Sequence, residues 1–214
     1  MIALTKIPEN EPAPEKKIKE TSKYGPLSFR HFILGSIAIF VYVGVEVGVP
    51  NILQKWLQNP DLNVLGDGVN VEAIAGSVAA TYWLLMLVGR LLGALVGSKV
   101  SARSMLTVVS SVGLLLTLTA MFIPEIPVNM PVFNGAEGFA LVSVPLNAAL
   151  LVLVGLCTSV MWGGIFNLAV EGLGKYTEKA SGIFMALVCG GGILPWLQNG
   201  IVDLAGGVGY LTSY

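Results

Sequence analysis

The stretch YWLLMLVGRLLGALVGSKVSARS, Tyr82 to Ser104, is an apolar run that carries one arginine, three glycines four residues apart and a basic close. Gly89, Gly93 and Gly97 fall on one helical face, the small-xxx-small spacing that lets two membrane helices approach closely, so this face is expected to meet another helix. Arg90 lies inside the run, where a charge costs about 2.5 to 3.5 kcal/mol on insertion scales; it is expected to face protein or water and to have a partner. Lys99 and Arg103 follow it and place this end on the cytoplasmic side. One segment thus predicts a membrane location, an orientation and a packing face.

Composition extends that reading to the whole chain. Of 214 residues, 54% are hydrophobic and 12% are charged, with a mean hydropathy of +0.77; a soluble domain carries about 25% charged residues. The expected class is an all-α membrane protein, a helical bundle of five transmembrane helices at about 32–57, 71–98, 105–122, 146–170 and 182–204. The surface is then mostly lipid bilayer, and a net charge of -1 without a basic patch gives no reason to expect nucleic acid. Residues 1–28, with Pro8, Pro12, Pro14 and Pro26 and the cluster Lys16, Lys17, Lys19 and Lys23, read as a cytoplasmic linker, with residues 1–30 on that side. The lysines suit topology determination better than lipid binding. Cys157 and Cys189 sit in separate apolar runs as small hydrophobes, which implies neither a disulfide nor a metal site.

Polar residues inside the spans are the candidate functional groups. Glu46 lies near the middle of the first helix, with Tyr42 one turn before it and Pro50, Asn51 and Gln54 after it. An intramembrane carboxylate is a functional hypothesis by default, the alternative being an ion pair to a neighbouring helix. Tyr42, Glu46 and Pro50 are four apart and share a face, and the proline frees a backbone carbonyl there. The fourth helix carries Thr158, Ser159, Trp162, Gly163, Gly164 and Asn167. A tryptophan beside an amide can cover the apolar face of a pyranose while hydrogen-bonding groups take its hydroxyls; ordinary bundle packing is the alternative. Gly190, Gly191, Gly192 and Pro195 in the fifth helix are expected to kink or break it. His31, the one histidine, is expected in an interfacial structural role.

Charge distribution fixes the orientation. Ten of the twelve Lys and Arg fall on the side assigned as cytoplasmic, Arg90 is intramembrane and Lys55 is outside. Residues 123–143, with three prolines and no Lys or Arg, read as an outer loop, and Glu171 to Ser181 as a cytoplasmic one. Five spans leave the C-terminus outside, and the stop at Leu211 to Tyr214 after a Gly-rich turn reads as an interruption. No HExxH, second histidine or GxSG is present, so an enzyme is not expected. Polar groups inside the spans also suit a channel or a non-catalytic membrane scaffold.

Four segments carry a resemblance. GRLLGALVGSKVSARSML, Gly89 to Leu106, is similar to the helix-loop-helix signature of the second half of the major facilitator superfamily. YVGVEVGVPNIL (Tyr42 to Leu53), GIFNLAVEGLGKYTEKAS (Gly164 to Ser181) and GGGILPWLQNGIVDLAG (Gly190 to Gly206) resemble the bacterial L-fucose:proton symporter branch, which includes glucose/galactose transporters. The resemblance implies a twelve-helix transporter of two six-helix halves working by alternating access in a bacterial inner membrane. Residues 29–214 would then be the seventh to eleventh helices of the C-terminal half, with its last helix missing. The implied substrate is a hexose such as fucose, glucose or galactose. Glu46, Asn51, Gln54, Trp162 and Asn167 would contact it; Arg90, Lys99, Arg103, the three glycines 190–192 and Pro195 would take part in gating. The family often has a proline after the cavity aromatic, where this chain has Gly163. Protons, the implied coupling partner, would act through carboxylates of the N-terminal half, which lies outside this sequence, and no cofactor is implied.

Overall fold

Arg90's segment becomes the second of five membrane-length apolar helices in the computed structural model of the protein, which describes residues 25–97, 99–134, 138–206 and 209–214. In chain order these are α1 (Arg30–Gln58), α2 (Val71–Gly97) and α3 (Ala102–Phe122), then a hairpin of β1 (Pro127–Asn134) and β2 (Gly138–Pro145). The fourth span is α4 (Leu146–Thr158) with α5 (Met161–Val170), the fifth is α6 (Thr177–Ala186) with α7 (Gly190–Ala205), and α8 (Gly209–Thr212) follows. Most of the linker, residues 1–24, lies outside the described residues, as does Ser98. The architecture is that of a helical membrane protein with one small sheet added outside the spans.

Three segments depart from the expected boundaries. Residues 127–145, expected as a loop, form an antiparallel hairpin whose register pairs Val128 with Val144, Met130 with Val142 and Val132 with Ala140. Burial alternates along β2, with Phe139 and Leu141 outward and Val142 and Val144 inward, and the prolines are tolerated because a two-stranded sheet consists only of edges. Helix begins at Thr177, inside the segment expected as a loop up to Ser181; Glu178 in its first turn favours the positive helix end, and Ser181 returns its hydroxyl to the Thr177 carbonyl. The fourth span breaks at Ser159 and Val160, where Thr158 and Ser159 turn their hydroxyls onto carbonyls of the preceding turn.

Which helices are central follows from burial. In their apolar stretches, half of the residues of α1 and of the α4–α5 span are buried, against 11% in α3, whose Leu114, Leu115 and Phe122 face outward. α1 packs against α2, α4, α5 and α7. Two apolar clusters occupy opposite ends of the bundle. One, toward the hairpin, joins Leu53 and Trp56 of α1, Val78 and Tyr82 of α2, Leu151 of α4 and Val132 and Val144 of the hairpin. The other, toward the Lys- and Arg-rich end, joins Phe32, Ile39, Ile165, Ala169 and Phe184. Asn147, fully buried, donates to the carbonyls of Ala120 and Ile123 and so closes the end of α3.

Close helix approaches rest on glycines. On α2, a Cβ at Gly89 would collide with Ser159 and one at Gly93 with Val160, whereas Gly97, expected on the same packing face, meets open space. From the other side, Gly155 of α4 lies against the Tyr82 carbonyl, 2.7 Å from where its Cβ would be. The 3-10 turn Leu187–Cys189 breaks the fifth span just before the glycine triplet. Gly190 packs on the Phe40 carbonyl and Gly191 on Val43, while Gly192 faces open space. Gly190→Ala should therefore cost about 1 to 3 kcal/mol, because backbone must move, and Gly192→Ala should be neutral or gain up to about 1 kcal/mol from helix propensity. Detergent or thermal unfolding of the two variants checks this; equal effects would refute the packing assignment.

Candidate functional site

Between the two apolar clusters lies a polar layer built on α1. Tyr42 and Glu46 are one turn apart, and the Tyr42 hydroxyl donates to Glu46 Oε1 at 2.7 Å, with the Thr158 carbonyl at 3.0 Å as its second acceptor. One turn further, Pro50 has no N–H to give to the carbonyl of Glu46. A buried carbonyl without a donor is costly. Tyr82 of α2 supplies the donor, its hydroxyl lying 3.3 Å from that carbonyl and 3.2 Å from Thr158 Oγ1.

The second polar face belongs to α2, where Tyr82, Met86 and Arg90 are spaced by four and point the same way. Arg90 Nη2 reaches Glu46 Oε1 at 3.2 Å and the Met86 sulfur at 3.4 Å. The pair is end-on: one guanidinium nitrogen meets one carboxylate oxygen, and among the described residues the second oxygen has no partner. Glu46 is nearly enclosed, its side chain 12% exposed, whereas that of Arg90 is 56% exposed. Arginine thus supplies the partner expected for an intramembrane charge while keeping most of its donors free.

Those donors face an open cleft of about 620 Å³ that runs from Glu46 to the turn between α2 and α3. Glu46, Arg90, Trp162 and Asn167 all line it, with Gly93, Ser159 and Gly163 between them. The Trp162 indole is fixed by stacking on Phe166 at 5.5 Å and by an edge contact with Phe184 at 6.0 Å. A Cβ at Gly163 would meet nothing within 4 Å, so this position adds no bulk to the cleft wall.

Asn51 and Gln54 are not part of this cleft. Five residues turn a helix by about 500°, which puts Asn51 roughly 140° around α1 from Glu46, and Gln54 lies about 12 Å further along the axis. Asn51 instead faces Asn199 of α7 at 3.4 Å, and Asn199 also takes Lys55 at 2.7 Å, a brace between the two helices. Lys99 lies exposed in the α2–α3 turn, and Arg103 lines a separate groove with His31 and Glu171, where His31 Nε2 donates to the Glu171 carbonyl at 2.9 Å. Pro195 is buried in α7, away from the cleft. Tyr82 was not among the residues singled out for the site. Its signal was available: Pro50 announced an orphan carbonyl, and Tyr82 stands two turns before Arg90 on the same face.

The asymmetric pair has a thermodynamic consequence. Arg90→Gln removes the cation and leaves Glu46 enclosed, while Glu46→Gln combined with Arg90→Gln removes both charges and retains hydrogen-bonding groups. The double variant is expected to unfold at higher denaturant or temperature than Arg90→Gln alone, a non-additivity that the double-mutant cycle with Glu46→Gln measures. Additive losses would mean that the two side chains are uncoupled.

Comparison with known proteins places the chain beside transporters. It is 32% identical over 200 residues to a glucose/galactose transporter of Brucella abortus biovar 1, covering 94% of this chain and 42% of that protein, and a second Brucella abortus strain gives the same values. A Helicobacter pylori protein provisionally named as a glucose/galactose transporter is 28% identical over 208 residues, again covering 94% of this chain and 42% of the relative. No family model matches the chain, and no solved structure matches it. The chain, a multi-pass helical membrane protein, is thus similar to sugar transporters along nearly all of its length and spans less than half of theirs.

Proposed function

We propose that this chain is part of a sugar transporter of the major facilitator type, forming five helices of one half, and that the cleft between α2 and the α4–α5 span is one wall of its sugar site. The observation that carries the reading is the convergence of a carboxylate, a guanidinium, an indole and an amide on one cleft inside a membrane bundle. The named activity of the relatives supports the substrate class, a neutral hexose such as glucose or galactose. The two charges of Glu46 and Arg90 cancel, so the wall suits a neutral polyol better than an anion. Glu46 Oε2 accepts from a sugar hydroxyl, the free Arg90 N–H groups donate to others, and the indole covers an apolar ring face.

Alternating access in a bacterial inner membrane, with coupling to protons through the remainder of such a transporter, belongs to the same proposal. Transporters of this kind hold the substrate near the bilayer midplane between two repeats, which agrees with a cleft that ends at a mid-span carboxylate. Asn51 and Gln54 are left out of the proposed wall for the geometric reason given above. Lys99 and Arg103, at the cytoplasmic turn, are assigned to gating together with Arg90 and the broken fifth span around Gly190, Gly191, Gly192 and Pro195.

In a protein of the relatives' length that contains this chain, Glu46→Gln should weaken galactose or glucose binding by about 1 to 3 kcal/mol, the worth of a hydrogen bond to a charged group. Trp162→Ala should lose as much or more while the protein stays folded. Equilibrium binding of radiolabelled sugar to the purified variants decides it, and parental affinity in both would remove the site. Neutralising Lys99 and Arg103 should instead shift thiol accessibility between the two membrane sides and leave intrinsic affinity nearly unchanged. Unchanged accessibility would remove the gating assignment.

A further inference from the structure

We propose that Tyr42 is a positioning residue of the cleft: its hydroxyl holds the Glu46–Arg90 pair end-on, and so keeps one carboxylate oxygen and most of the guanidinium donors available to a bound sugar. Left to themselves, an arginine and a carboxylate close readily into a bidentate fork, two parallel N–H···O bonds that satisfy both oxygens. Nothing in the glutamate side chain resists that closure, because the torsion that turns its carboxylate is broad and roughly two-fold. Here the fork is open. Arg90 Nη2 and the Tyr42 hydroxyl both donate to Oε1, at 3.2 and 2.7 Å, and the shorter of the two bonds is the tyrosine's.

The tyrosine is anchored well enough to impose this geometry. Its hydroxyl also reaches the Thr158 carbonyl at 3.0 Å, which ties it to the end of α4, and its ring belongs to the apolar cluster with Ile39, Val43 and Ile165. Tyr42 is 4% exposed and is not among the residues that line the cleft; it stands one turn from Glu46 on the same face and acts on a ligand only through that side chain. Arg90 has a side chain 56% exposed, held otherwise by the Met86 sulfur at 3.4 Å. The buried phenol therefore sets the plane of the carboxylate, and the arginine follows. A closed fork would engage Oε2 and a second guanidinium nitrogen, and a sugar would have to break it before bonding to either side chain. Holding the pair open in advance removes that reorganisation from the binding step.

This role rests on the cleft being a sugar site, and it is read first without sugar. Phenylglyoxal modifies guanidinium groups whose nitrogens are free, and mass spectrometry of the peptide that carries Arg90 gives the rate, with Arg30 and Arg103 as internal references. In a protein of the relatives' length that contains this chain, Tyr42→Phe keeps the ring and removes the hydroxyl. It should slow Arg90 modification at least about fivefold as the fork closes, and Glu46→Gln added to it should return the rate to the parental value or above. An unchanged rate in Tyr42→Phe would overturn the inference. So would an equal slowing in Tyr82→Phe, which takes a bond from the Glu46 carbonyl and none from the carboxylate. Equilibrium binding of radiolabelled galactose is the second reading: Tyr42→Phe should weaken it about tenfold with Glu46 present and less than about twofold in the Glu46→Gln background. A tyrosine that serves only packing would cost the same in both, and equal losses would overturn the positioning role. Slower modification with parental binding in both Tyr42→Phe and Glu46→Gln would remove the sugar site, and the tyrosine's function there, while leaving the fork, so the two failures are told apart.

Discussion

The bundle is organised by the need to keep one carboxylate, Glu46, inside an apolar helix. Taking an ionised carboxylate out of water costs several kcal/mol even after relaxation, so its neighbours must return that energy through charge and hydrogen bonds. Tyr42 does so from the same helix and Arg90 from the next. Pro50 adds a second debt in the same turn by leaving the Glu46 carbonyl without its helical donor, and Tyr82 settles it. The result is a single polar layer with an apolar cluster on either side. Residues four apart on α1 and four apart on α2 meet in this layer, so the register of the two helices follows from chemistry as well as from packing.

That register is possible only because the helices come unusually close. Tyr82 reaches Thr158 because Gly155 lets α4 lie against the Tyr82 backbone, and Arg90 stays in line because Gly89 and Gly93 accept Ser159 and Val160. A larger residue at any of these positions would push α2 outward and lengthen every bond of the layer. In lipid, helices gain little from burying apolar surface against one another, so small residues and interhelical hydrogen bonds do the work that a hydrophobic core does in water. Glycine spacing and the polar layer are therefore one constraint expressed on two faces of α2.

How much of this was legible follows from which physics each feature obeys. Span positions are set by length and hydropathy, which are properties of the chain alone, and the structure holds five helices long and apolar enough to cross a membrane. The partner requirement of Arg90 was legible because it is an energetic necessity; its identity, Glu46, was not, because it depends on how two helices are rotated. Grouping Asn51 and Gln54 with Glu46 treated nearness in sequence as nearness in space, which 100° per residue defeats. Prolines, as loop signals, hide the hairpin in the sequence, although Val128, Met130 and Val132 alternate as a strand does, and Asn-Gly, residues 134–135, is a turn signal between two such runs. Gly97 meets open space because how far a glycine seam extends depends on where the partner helix runs, which the spacing alone does not give.

The break also explains why the cleft exists at all. α2 packs against α4 and barely against α5, so the seam that Gly89 and Gly93 close does not continue to Gly97. Ending α4 at Thr158 and restarting at Met161 lets α5 diverge, and the space it leaves exposes one flank of Arg90 and the open side of Trp162. Thr158 and Ser159 stabilise the interruption by bonding back to carbonyls of the last turn of α4. Their neighbours Gly163 and Gly164 then add no bulk to the wall. The same three residues, 158 to 160, thus end a helix, complete the polar layer through Thr158 and open the cleft beneath it. Binding space and charged layer are adjacent because one backbone interruption produces both.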